Sequence, residues 1–161
     1  MKTVYFILLC CVCLTSCHNQ TKKHVEKCDW DISMTFYLAA MEDAVKYSFD
    51  VINDSLTVKD YKFITRADAE KEHRAYGVKL TDDQCMEISK RVSALKQECD
   101  KSGRVAKGGW GCTLKVDGQV YYKDNDFSLG EQRYPPPGEI KSLIDYIVSL
   151  SPIPIKLEGY D

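Results

Sequence analysis

Val45, Tyr47, Phe49 and Val51 alternate with Lys46, Ser48 and Asp50. This two-residue period constrains the chain more than any other feature. Successive side chains of a strand point to opposite faces, so the alternation describes a strand with one buried face. Asn53-Asp54 then supplies turn chemistry. A two-residue loop there sets Val51 opposite Leu56 and Phe49 opposite Val58, all on one face. Asp60 interrupts the pattern, and Tyr61 and Phe63 resume it one residue out of phase, which reads as a bulge. Met34, Phe36 and Leu38 form a preceding strand, while residues 39–44 fit a helical turn as well as a strand.

Residues 66–79 are charged and lack a clear period, so they read as a connection with room for a short helix. Thr81-Asp82-Asp83-Gln84 is a capping box with two acids at the positive helix end. Leu80 is placed to staple onto Cys85. Cys85, Ile88, Val92, Leu95 and Cys99 follow at helical spacing, and Ser102-Gly103 is the expected stop. Trp110, Cys112, Leu114 and Val116 alternate in a second hairpin that turns at Asp117-Gly118 and returns through Val120 and Tyr122. A two-residue loop would leave Val120 on the polar side, so a three-residue loop with a bulge is expected. Pro135-Pro136-Pro137-Gly138 leads into a helix with Ile140, Leu143, Ile144, Ile147 and Leu150 on its buried face, ended by Ser151-Pro152. Ile153, Ile155 and Leu157 make a last strand, kept at an edge by Pro154. The expected class is α+β: an antiparallel sheet built of hairpins, with two amphipathic helices packed on one face. The hairpin-helix unit occurs twice without a shared residue pattern, an outline similar to small secreted inhibitor folds that double such a unit.

The chain has 161 residues, 29% of them charged and 44% hydrophobic, which fits one globular domain. Basic and acidic residues number 22 and 24. No field of one sign covers the molecule, which argues against nucleic acid as a partner.

Lys2 is followed by an apolar run from Val4 to Leu14. That run is too short to span a hydrocarbon core of about 30 Å, and its layout is that of a secretion signal. Leu14-Thr15-Ser16-Cys17 resembles the lipobox of bacterial lipoproteins: an aliphatic residue, two small ones and a cysteine. The resemblance covers about the first twenty residues. It implies a diacylglyceryl group on Cys17, cleavage just before it, and a lasting membrane anchor. Residues 1–16 are then the lipoprotein signal peptide, 17–30 a polar tether (His18, Asn19, Gln20, Thr21, Lys22, Lys23, His24), and 31–161 a single α+β domain. For a chain that resembles bacterial lipoproteins, the resemblance implies the cell envelope, and the lack of Asp after Cys17 with the basic tether then implies the outer membrane facing the periplasm.

Cys28, Cys85, Cys99 and Cys112 remain in the mature chain. An oxidising compartment permits disulfides among them. Cys85 and Cys99 on one helix would stand about 21 Å apart, beyond the roughly 7 Å a bridge tolerates. Cys99 with Cys112 is the favoured pair, Cys85 the thiol expected to stay free, and four buried free thiols are the alternative.

No catalytic set emerges. After Cys17 the histidines are His18, His24 and His73, two of them on the tether. A Cys112–His73 dyad is imaginable, but a structural Cys112 is the plainer reading. His24 and Cys28 stand four apart with no further ligand to complete a metal site. Asp124-Asn125-Asp126 resembles the start of a calcium loop, yet Leu129 and Pro135 stand where Gly and Glu belong. Gly108, Gly109 and Gly111 lack the Lys-Ser/Thr of a phosphate loop. No cofactor and no metal is therefore expected. Trp110, Tyr121 and Tyr134, with Tyr122 and Phe127 close by, are either a contact patch or core.

The first expectation is a membrane-anchored, non-catalytic binding or interaction module, of which an inhibitor or immunity-type protein is a subclass. Its partners would be the membrane, through the lipid on Cys17, and a protein or glycan of the envelope. The alternative is a hydrolase acting on envelope polymers through two of Asp124, Glu131 and Glu139. A third is a structural lipoprotein that pairs a partner strand along residues 153–157.

Overall fold

The computed structural model describes residues 28–38, 41–61, 73–96, 98–101, 109–127 and 135–157. Seven strands form one sheet: β1 (Ile32–Leu38), β2 (Met41–Ile52), β3 (Ser55–Tyr61), β4 (His73–Lys79), β5 (Cys99–Lys101), β6 (Trp110–Val116) and β7 (Gln119–Phe127). Two helices complete the fold, α1 (Asp82–Ser93) and α2 (Gly138–Ser149). The sheet order is β4-β3-β2-β1-β6-β7-β5. All neighbours are antiparallel except β5 and β7. The class is α+β.

The first hairpin has the register that its alternation demands: Val51 faces Leu56 and Phe49 faces Val58. Asn53 holds φ of 56° at its turn, a left-handed conformation that asparagine tolerates. Asp60 and Tyr61 continue β3 in step with β4, and the irregularity falls instead between β1 and β2, around Tyr37. Met41–Ala44 belongs to β2 rather than to a helical turn. Phe63 lies outside the described residues.

The second hairpin departs from expectation in an instructive way. Its loop has two residues, Asp117 at φ 50° and Gly118 at φ 79°, and Val116 faces Gln119. Val120 therefore does face the polar side, opposite Lys115. A register shift between Leu114 and Lys115 then brings Tyr122 opposite Leu114. The bulge sits in the strand, and the turn keeps its tight two-residue form.

Residues 73–79 are a strand, not a connection. Only Tyr76 and Val78 face the core residues Val58 and Leu56, so the period is two positions long and weak in sequence. The capping box of α1 is present: Gln84 N donates to Thr81 Oγ1 at 3.3 Å, and Thr81 N donates to Gln84 Oε1 at 2.8 Å. The helix stops at Ser93, earlier than its stripe predicts, because Cys99 pairs in parallel with Tyr122 of β7. Residues 151–157 form no strand; Ile153, Ile155 and Leu157 pack half-buried against the core. One buried cluster joins Met34, Phe36, Phe49, Leu56 and Leu114 of the sheet to Ile88 and Val92 of α1 and to Ile140, Leu143, Ile144 and Ile147 of α2.

Candidate functional site

The strand residues that alternate with the core set define the other face of the sheet. On β1 these are Ser33, Thr35 and Tyr37. Across β6 they meet Lys115, Thr113 and Gly111 respectively. On β7, Val120 stands opposite Lys115 and Lys123 opposite Thr113. Ser33, Thr35, Tyr37, Thr113, Lys115, Val120 and Lys123 line a hollow of about 320 Å³. Its floor offers the hydroxyls of Ser33, Thr35 and Thr113, each able to donate and to accept, and two ammonium groups that only donate. Such a lining suits a ligand bearing hydroxyl and anionic oxygens.

Tyr37 forms one wall. It is 3% exposed, and its ring lies across Gly111 so closely that a Cβ there would come within 2.1 Å of a ring carbon. The phenol donates to Asn125 Oδ1 at 2.9 Å. Beside Thr35 on β2 lies Ser48, 7% exposed, whose Oγ has no hydrogen-bond partner among the described residues. Asp50 on the same strand pairs with Lys59 at 3.5 Å.

The residues singled out from the sequence are placed differently. Cys17 and Tyr134 lie outside the described residues, as do Glu131, His18 and His24. Trp110 is 7% exposed, between Leu38 and Phe127, and Tyr121 is half-buried against the core. Of the two described aromatics, Trp110 is buried and Tyr121 is partly covered by the core. Cys99 and Cys112 do not meet, because β7 runs between their strands. Two strand spacings of about 4.8 Å exceed the reach of a disulfide. Cys28, Cys85, Cys99 and Cys112 are all free thiols. The separation of Cys85 from Cys99 along one helix does not apply either, since α1 ends before Cys99. Cys85 is not isolated: it lies close enough to Cys28 to push that thiol's ionisation up, second to burial.

The Cys112–His73 dyad is absent. His73 stacks on Tyr61 at the β4 edge, four strands from β6. Asp124 is fully buried, accepting from Tyr122 Oη at 3.0 Å and from Asp126 N at 2.9 Å, which gives it a structural role. Burial pushes the Cys112 thiol well up, and the Asp124 carboxylate opposite adds to the shift. Glu139 stands half-exposed in the first turn of α2. Among the described residues no three His, Cys, Asp or Glu side chains gather into a metal site, and no helix is long and apolar enough to cross a membrane.

The sequence signal for the hollow was the polar half of each alternation, Ser33-Thr35-Tyr37 above all. Its apolar half drew attention to the core instead. Comparison with family models, with curated proteins and with solved structures finds no match.

Proposed function

We propose that the chain is a lipid-anchored protein of the bacterial cell envelope, held to the outer membrane through Cys17 and facing the periplasm. It acts there as a non-catalytic binding module, and the ligand is an acidic glycan. The observation that carries the reading is the hollow on β1, β6 and β7, where Lys115 and Lys123 flank Ser33, Thr35 and Thr113. Hydroxyl-rich strands match the many oxygens of a sugar, and two ammonium groups favour a carboxylated one. We also infer that both helices lie on the sheet face of Met34, Phe49 and Leu114, since one buried cluster contains all of them. Among the described residues, that arrangement leaves the hollow's face open to a ligand. The hydrolase alternative has less support, because Asp124 is 0% exposed and committed to Tyr122. An inhibitor or immunity-type role would need a protein on the same face and is a distinct outcome of the test.

Amide chemical shifts of residues 33–37, 113–115 and 120–123 should move on titration with an oligosaccharide of uronic acids, and much less with a neutral one. K115E with K123E should abolish the response at low salt, since two attractions become two repulsions. Equal silence toward both sugars overturns the glycan reading. Radiolabelled palmitate should enter the wild-type protein in a bacterial host and not C17S; no label in either overturns the anchor.

A further inference from the structure

The antiparallel register gathers several chain segments at one end of the sheet. Ile32 at the start of β1 faces Val51 beside the β2–β3 turn and Val116 beside the β6–β7 turn. Asp117 N donates to Asp31 O at 2.7 Å, and Asp31 N donates to Asp117 Oδ1 at 3.0 Å, which fixes the residues just ahead of β1. Leu80, between β4 and α1, donates to Asp54 O of the β2–β3 turn at 2.8 Å. Cys28, which precedes β1, and Cys85, in the first turn of α1, are thereby brought to the same place. They are 0% and 3% exposed, belong to one buried cluster, and lie close enough for Cys85 to raise the ionisation of Cys28.

We propose that Cys28 and Cys85 are a redox pair that closes to a disulfide, clamping the start of β1 to the first turn of α1. The oxidant is an external disulfide, protein-borne or of low molecular weight. One of the two thiolates attacks it and displaces one of its sulfurs. The other thiolate then attacks the mixed disulfide and displaces the second. A bond forms between the two Sγ atoms, the external S–S bond breaks, and both thiol hydrogens end on the oxidant, now a dithiol or two thiols. The pair ties the segment that enters the domain to the helix that covers its core. Closure in the cell presupposes the oxidising envelope assigned above, whereas closure in vitro does not, so failure of either reading is distinguishable.

Burial keeps the pair slow to react, with Cys28 pushed up to about 12, chiefly by desolvation and then by Cys85. The test therefore approaches equilibrium from both sides. The full chain in detergent is incubated natively, and in parallel refolded from denaturant, across glutathione buffers from reducing to oxidising. Thiols are then quenched with acid, alkylated in denaturant and mapped by peptide mass. The expected result is a crosslinked peptide joining Cys28 to Cys85, both thiols lost together, and a higher melting temperature in the oxidised buffer. C99S with C112S should retain the crosslink. Alkylation of both Cys28 and Cys85 in the oxidised buffer overturns the proposal. So does either one joined instead to Cys99, Cys112 or glutathione.

Discussion

Tyr37 and Gly111 are a cross-strand pair in which one side chain occupies the space the other leaves empty. An alanine at 111 would strike the ring, which must then leave its place and release the bond to Asn125. G111A should cost about 2–4 kcal/mol by overpacking and lost hydrogen bonding, read as a lower midpoint in urea. Y37F keeps the ring and loses only the hydroxyl, so about 1 kcal/mol is expected. Ser48 points the other way. Its buried Oγ finds no partner among the described residues, and removing an unsatisfied hydroxyl relieves a desolvation penalty. S48A should leave stability unchanged or raise it by up to about 1 kcal/mol in the same assay. The Tyr37–Gly111 contact was not legible in the sequence, because a glycine inside a strand signals a close approach without naming what approaches. The same limit hid Cys28 from Cys85: spacing along the chain carries no record of which strand ends share an end of the sheet.

At the scale of elements, Arg91 joins the two helices. Its guanidinium donates to Ser142 O at 3.0 Å, pairs with Glu87 at 2.8 Å and lies 4.6 Å from the centre of the Tyr146 ring. R91A should lower stability by about 1–2 kcal/mol, from the lost carbonyl bond and the cation–π contact; R91K, which cannot repeat the planar fork, should recover only part of it. Thermal melts of the two variants check this. Which elements were readable follows from how much each depends on its own residues. The first hairpin, the capping box and α2 were plain, because turn, cap and apolar period agree within each segment. β4 and β5 were not. β4 shows the core only Tyr76 and Val78, and β5 is three residues long and exists by pairing with β7. The stop of α1 at Ser93 likewise depends on β7, and the segment after Pro152 packs as irregular chain despite its alternating isoleucines. The polar hollow was half-legible: its residues are the complement of every correctly read core position.

At the scale of the molecule, buried neutral groups set the alkaline limit. Cys28, Cys112 and Tyr122 all have their ionisation pushed upward in the folded state, mainly by burial. Their neutral forms stabilise the fold fully below the unfolded thiol value of 9.0. Above it the unfolded chain releases protons that the folded chain retains, so stability falls as pH rises. Each group contributes at most about 1.4 kcal/mol per pH unit to that slope. Melting temperatures should hold steady toward pH 8 and decline from about pH 9 upward; a flat profile to pH 11 would refute the argument. The sheet's margins carry a different consequence. β5 ends the order as a stub of three residues, while β4 presents seven with one side unoccupied among the described residues. Amide and carbonyl groups along such a rim can recruit a foreign strand, and Arg74 and Lys79 stud it with charge. Those basic residues are sentries against stacking. R74V should therefore scatter more light as concentration rises, through edge-on growth that leaves the fold of each molecule intact.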